Sequence, residues 1–227
     1  MLILAVDTTT HHGSVALLEN SRLLAEVDSV SSLTHSERLL PAIDLILHQQ
    51  DLTIRDVKAF AVAAGPGSFT GIRIGLSTIK SLAFASGNPV APVSTLKALA
   101  LKLKLPHNRL LCPLMDARKG EVYAALFEMK REQLAEVIPQ GVYSPDRFFT
   151  RMPSHRIVSF IGNGVDVWKD RIFDYIKDKA RFSSRSLFIA HEIGILGYSL
   201  LREGKGVDPR EVKPLYYRKS QAEESHS

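Results

Sequence analysis

The first apolar residues form a continuous run, Leu2-Ile3-Leu4-Ala5-Val6, which stops at Asp7-Thr8-Thr9-Thr10. A run without polar alternation predicts a strand covered on both faces. After His11-His12-Gly13 a second strand is expected over residues 14–18. A turn at Glu19-Asn20-Ser21 leads to a third, over residues 23–27, so the chain opens with antiparallel strands. Thr34-His35-Ser36-Glu37 has the spacing of a capping box and predicts a helix from there to about Gln50. Pro41 lies inside it and predicts a kink or a late start. Residues 57–63 read as a buried strand. It runs directly into Gly65-Pro66-Gly67-Ser68-Phe69-Thr70-Gly71, and helical periodicity follows over residues 72–86.

The pattern then repeats. An apolar strand over residues 110–115 ends at Asp116, and Gly120-Glu121-Val122-Tyr123-Ala124 echoes Gly13-Ser14-Val15-Ala16-Leu17. Residues 157–161 lead into Gly162-Asn163-Gly164 and a helical segment over 165–175, as the earlier strand led into the first glycine loop. The echo reads as a duplication of one αβ unit, although strand, Asp and turn also recur by chance. Residues 186–203 form a further amphipathic helix, 207–218 an irregular proline-containing tail, and 220–227 a polar end.

The two N-terminal helices carry more apolar surface than one core contact needs. At about 100° per residue, Leu39, Leu40, Ala42, Ile43, Ile46 and Leu47 span an arc of roughly 160°, with Leu45 outside it. On the second helix Ile72, Leu76, Ile79, Leu82 and Ala83 make a core stripe. Ile74, Thr78 and Ala85 make another on the far side, and Gly75, Ser77 and Ser81 are small enough for close helix approach. Either both helices are sandwiched inside the protein, or they present an apolar patch to another subunit; the small residues favour the patch.

Composition narrows the function classes. Of 227 residues, 45% are hydrophobic and 23% charged, which is a folded globular chain rather than a disordered or fibrous one. The net charge of +5 permits a polyanionic partner without requiring one. A single cysteine, Cys112, excludes an intrachain disulfide and a thiolate zinc site and suits the cytoplasm. No signal peptide or membrane span is expected. The eight histidines include no pair at i, i+3 or i, i+4, and neither G-x-S-x-G nor H-E-x-x-H occurs, so no metal site or hydrolase nucleophile is expected. Asp7 and Asp116, each at a strand end, suit a metal or an activated hydroxyl on one reading and a capped turn on the other. The first glycine loop is either an anion cradle or a tight turn that packs its helix close to the sheet. It lacks both the Gly-Lys-Ser/Thr ending and G-x-G-x-x-G, so at most it is a degenerate nucleotide loop of Asp7, Gly65, Gly67, Ser68, Thr70 and Gly71.

Several blocks together resemble the bacterial TsaB (YeaZ) family: Ile3-Leu4-Ala5-Val6-Asp7-Thr8, His35-Ser36-Glu37-Arg38-Leu39-Leu40-Pro41, the loop-helix from Gly65 to Gly75, Asp116-Ala117-Arg118-Lys119-Gly120-Glu121-Val122-Tyr123, and Pro214-Leu215-Tyr216-Tyr217-Arg218. The resemblance implies an α/β fold of the actin, Hsp70 and sugar-kinase type (ASKHA, with a ribonuclease H-like motif), made of two duplicated αβ domains. It also implies a non-catalytic subunit of the machinery that places threonylcarbamoyl on the adenosine at tRNA position 37, in tRNAs reading codons that begin with adenine. The catalytic paralogue, TsaD, carries a metal-binding H-x-E-x-H. The matching stretch here, residues 93–100, has neither histidine nor carboxylate, so neither catalytic residues nor a cofactor are expected. The implied partners are TsaD, the ATPase TsaE in a ternary complex, and a second copy of the chain, with TsaC supplying the threonylcarbamoyl-adenylate. The implied docking residues are Leu39, Leu40, Ile43, Leu47, Arg73, Ile74, Ser77, Thr78 and Ser81.

The expected division is 1–105 for the first domain, 106–190 for the second and 191–227 for a C-terminal helix and tail, with the first boundary around Lys104 to Asn108. Two rival readings remain: a nucleotide-dependent kinase or ATPase of the same fold, and a direct tRNA binder. The second rests on Lys169, Arg171, Lys177, Lys179, Arg181 and Arg185 with the tail cations Arg210, Lys213, Arg218 and Lys219. Asp170, Asp174 and Asp178 are interspersed, so a solvated mixed surface with at most indirect tRNA contact is expected.

Overall fold

The structure, a computed structural model, describes residues 1–29, 34–103, 109–131 and 133–218. The expected boundary at 104–108, Lys219 and the polar end therefore lie outside the described residues. The chain divides into two compact units: Met1–Ala98 with Phe188–Tyr216, and Leu99–Leu187 with the chain from Tyr217.

The first unit is built on strands β1 (Leu2–Asp7), β2 (Gly13–Glu19), β3 (Arg22–Ser29), β4 (Ala59–Gly65) and β5 (Val90–Ser94), with helices α1 (His35–His48) and α2 (Phe69–Ser86) between them and the first turn of α3 (Thr95–Leu103) after them. The sheet order is β3-β2-β1-β4-β5. β1 pairs antiparallel with β2 and parallel with β4, and β4 pairs parallel with β5. Alternate residues of the central strands serve two layers. Leu4, Val6, Leu17, Phe60 and Val62 join Ile43, Ile46, Ile72, Leu76 and Ile79 in one core under α1 and α2. The opposite face is covered by α6 (Ala190–Arg202), which packs on β1, β2, β4 and β5. α6 lies so close that a Cβ at Gly194 would strike Leu18, and one at Gly197 would strike Ala61. The continuous apolar run of β1 is thus the signature of a strand buried on both faces.

The second unit repeats the plan with β6 (Leu110–Arg118), β7 (Glu121–Lys130), β8 (Gln133–Tyr143), α4 (Pro145–Phe149), β9 (Val158–Ile161), α5 (Val165–Ile176) and β10 (Ala180–Phe182). Its sheet order, β10-β9-β6-β7-β8, has the same pairing senses as the first when β6 is set on β1 and β9 on β4. The duplication seen in the sequence is therefore a duplication of topology. Buried Leu110, Cys112, Leu114, Phe148, Phe160 and Ile172 form its core. Burial pushes the Cys112 thiol well above its usual range.

Three expectations change. α1 starts at His35 and runs unbroken past Pro41, so the start is not late. α2 begins at Phe69, three residues earlier than expected, because the Ser68 side chain caps it by accepting from Gly71 N–H at 3.2 Å. The C-terminal segment is no separate piece: Val207 exchanges both backbone hydrogen bonds with Val90, and Leu215 N–H donates to the Ala64 carbonyl at 2.7 Å. Among the described residues no helix is long and apolar enough to cross a membrane.

Candidate functional site

Two features carry the functional question, the glycine loop and the paired helices. Asp7 is fully buried at the end of β1, where its Oδ1 accepts from Thr9 N–H at 2.9 Å and from the Thr9 hydroxyl at 2.7 Å. Burial outweighs these bonds and pushes its carboxyl up to about 6. The turn that follows Asp7 then lies on the glycine loop. Ser68 N–H donates to the Thr9 carbonyl at 2.7 Å, and the Thr8 hydroxyl donates to the Gly71 carbonyl at 2.7 Å. A Cβ at Gly67 would collide with the Thr9 carbonyl, at Gly71 with the Thr8 carbonyl, and at Gly75 with the Thr8 hydroxyl. The glycines serve close packing of the chain on itself. Gly67, Ser68 and Gly71 lie against the turn that follows Asp7, Gly65 lies against Leu215 and Ile72, and Thr70 is exposed in the first turn of α2.

The second unit uses the same device. Asp116 Oδ1 accepts from Arg118 N–H at 2.9 Å, Gly164 N–H donates to the Leu114 carbonyl at 3.1 Å, and Gly162 sits against that carbonyl. Both aspartates therefore close a turn onto the amide two residues later. Residues 93–100 form the end of β5 and the start of α3, with Leu96, Ala98, Leu99 and Ala100 buried.

The helices divide differently from the expectation. Leu39, Ile43 and Leu47 are 4%, 4% and 5% exposed and belong to the core beneath α1, so they are not docking residues. The arc of apolar residues was wide, but its centre faces the sheet. Leu40 at its edge is 54% exposed, and Leu45 outside it is 48% exposed. On α2 the expected core stripe of Ile72, Leu76, Ile79 and Ala83 is buried, with Leu82 packed beside it. Arg73, Ser77, Ser81 and Ala85 are exposed, and Ile74 and Thr78 are half-buried. Phe84, absent from the expected stripes, is 67% exposed. α1 and α2 touch, and each turns an outer face with apolar side chains to solvent.

The start of α1 is tied down from two sides. The Glu37 carboxylate accepts from Thr34 N–H at 2.8 Å, completing the reach-back half of the capping box. Arg38 Nη1 donates to the Ser29 carbonyl at 3.0 Å, and Nη2 donates to the His11 carbonyl at 3.1 Å and to His35 Nδ1 at 2.9 Å. A guanidinium only donates, so His35 carries its proton on Nε2, which donates to the Thr10 carbonyl at 2.7 Å. Burial, then the Arg38 charge, hold His35 below its ordinary range.

Comparison with known proteins decides the family. The family model described as TsaD, tRNA N6-adenosine threonylcarbamoyltransferase, matches residues 27–226. The tRNA threonylcarbamoyladenosine biosynthesis protein TsaB of Bacillus subtilis is 32% identical over 226 residues, spanning 98% of this chain and 96% of the relative. The chain belongs to the TsaB (YeaZ) family. A crystal structure from Pseudomonas aeruginosa, described as similar to peptidase YEAZ, superposes on it with a TM-score of 0.85 at 29% identity, covering 96% of this chain and 99% of that one. The activator of the 2-hydroxyisocaproyl-CoA dehydratase from Clostridium difficile, with bound ADPNP, shares the fold alone: TM-score 0.53 and 11% identity over 95% of this chain and all of the other. Two mixed sheets of one topology make this TsaB-family chain a two-domain ASKHA fold.

For a TsaB-family chain, the residues that sequence reasoning missed are instructive. Phe84 falls between Arg73 and Ser77 on a helical wheel of about 100° per residue, so the signal was available in the spacing. The anchoring by His35 and Arg38 had none, because their acceptors are backbone carbonyls of Thr10, His11 and Ser29. The basic residues are largely engaged within the chain: Arg171 with Asp146, Lys179 with Asp178, Arg210 with Asp208, Arg218 with Glu121, and Arg181 with two carbonyls.

Proposed function

We propose that this TsaB-family chain takes part in tRNA threonylcarbamoyladenosine biosynthesis as a non-catalytic partner of TsaD, docking through the outer faces of α1 and α2. The observation that carries this reading is the exposure of Leu40, Leu45 and Phe84 on two touching helices, beside the small side chains Ser77, Ser81 and Ala85. Large apolar side chains flanked by small ones suit close helix-to-helix association. TsaD is a paralogue that shares the ancestral shape and has equivalent helices, so the contact is near-symmetric, and a second copy of this chain competes for the same face. Docking acts by shifting TsaD towards its active arrangement, without donating reacting groups. TsaE joins the pair, tRNA contact is indirect, and the work takes place in the cytoplasm on adenosine 37 of tRNAs reading codons that begin with adenine.

The glycine loop supports the non-catalytic part, since the Ser68 and Gly71 amides and the glycine faces are occupied by the chain's own Thr8-Thr9 turn and the Ser68 cap. The decisive experiment is reconstitution of the tRNA modification from purified TsaC, TsaD and TsaE, with and without this chain. Modified adenosine is expected only when the chain is present. Modification at the same rate without it, or ATP turnover by the chain alone, overturns the reading.

A further inference from the structure

A small cavity of ≈ 20 Å³ lies in the first unit between the Asp7 turn, β2, β3 and α1. Two side chains that line it each bury a polar atom with no hydrogen-bond partner among the described residues, Asp7 Oδ2 and Arg38 Nε. The rest of both groups is engaged: Asp7 Oδ1 by Thr9, and the two terminal nitrogens of Arg38 by Ser29, His11 and His35. An unpaired buried donor or acceptor is costly, more so when charged, so one orphan of each kind on side chains that line the same void calls for an occupant. Such an occupant has to donate to a carboxylate, accept from a guanidinium N–H and fit a space of about one water-sized sphere. A metal ion or ammonium has no lone pair to offer the guanidinium, and chloride has no proton to offer the carboxylate. Water meets every requirement.

We propose that the cavity holds one ordered water bridging Asp7 Oδ2 and Arg38 Nε, and that this link, added to the direct bonds of Arg38 to Ser29, His11 and His35, makes Arg38 the positioning residue that seats α1 on the Asp7 turn. The same turn packs on the glycine loop that opens α2, so the bridge sets both docking helices against one element. That last step rests on the docking function proposed above; the water itself does not.

A high-resolution crystal structure of the full chain tests the water directly. One density peak within hydrogen-bonding distance of both Asp7 Oδ2 and Arg38 Nε is expected, and an empty cavity or direct contact between the two side chains overturns the proposal. Val15→Ile tests it in solution, because Val15 is buried and lines the cavity. Displacing a hydrogen-bonded water is expected to lower Tm, whereas filling a dry void raises it and sinks the idea. Arg38→Met is expected to remove the peak and to speed amide exchange in the first two turns of α1 at least tenfold over the exchange of β1; unchanged exchange overturns the seating role. Titration of TsaD separates the two claims. Several-fold weaker binding by Arg38→Met supports the link to docking, and equal binding removes that link. Failure of the wild-type chain to bind TsaD removes the docking reading and leaves the density peak to decide the water.

Discussion

Asp7 shows how little an isolated residue reveals. At a strand end its carboxylate suited a metal or an activated hydroxyl as well as the commoner turn, and the structure makes it a turn residue whose Oδ1 is taken by Thr9. Its carboxyl is pushed from 3.8 up to about 6 by burial, so the folded chain holds that proton more tightly than the unfolded chain. Stability from this group is complete below about pH 4 and is lost as the pH rises from there through about 6. A side-chain amide in its place would carry no charge at any pH. Asp7→Asn is therefore expected to match the wild type near pH 4 and to exceed it at pH 8 by up to about 3 kcal/mol, because each tenfold difference in proton affinity between folded and unfolded chains is worth about 1.4 kcal/mol. Urea melts of both proteins across that range check the sign, and a constant difference at every pH would remove the assignment to Asp7.

At the scale of the element, α1 separates neighbours that look alike in sequence. Leu39 and Leu40 are adjacent, yet one is 4% exposed in the core and the other 54% exposed. Leu39→Ala is expected to destabilise the chain by about 2–5 kcal/mol, and Leu40→Ala by no more than about 0.5 kcal/mol, as read from chemical denaturation. Leu40→Glu is expected to weaken TsaD binding at least tenfold while the circular dichroism and Tm stay at wild-type values, because the charge meets an apolar contact only in the complex. Unchanged co-elution with TsaD on a sizing column would clear Leu40 of any docking role. The apolar periodicity that identified both helices is a local property, so it was legible in the sequence. Which edge of a wide arc meets the sheet depends on where the sheet lies, and only the fold shows that. β8 escaped the same reading because it is an edge strand whose register against β7 shifts twice, which breaks the alternation.

On the scale of the whole molecule, the two sheets share one strand order and one set of pairing senses. The echo of strand, Asp, turn and strand in the two halves was the visible trace of that duplication. The return of the C-terminal segment to the first unit was not visible, since its ties are backbone bonds from Val207 to Val90 and from Leu215 to Ala64, and a buried Val212. Truncation after Gly206 is expected to lower Tm by at least several degrees, at about 2–4 °C per kcal/mol lost. An unchanged Tm would show that this tail contributes nothing to the first unit.

Sequence alone determined β1 to β4, β6, β7 and β9, the apolar stripes of the helices, the doubled plan and the family resemblance, all of which are written in spacing between near neighbours. Tertiary structure alone decided that the glycines make room for the Thr8-Thr9 turn, that Leu39, Ile43 and Leu47 are core, and that Leu40, Leu45 and Phe84 are left outside. The physical reason is that burial and steric contact are relations between segments far apart in the chain, and no local pattern records which segments meet.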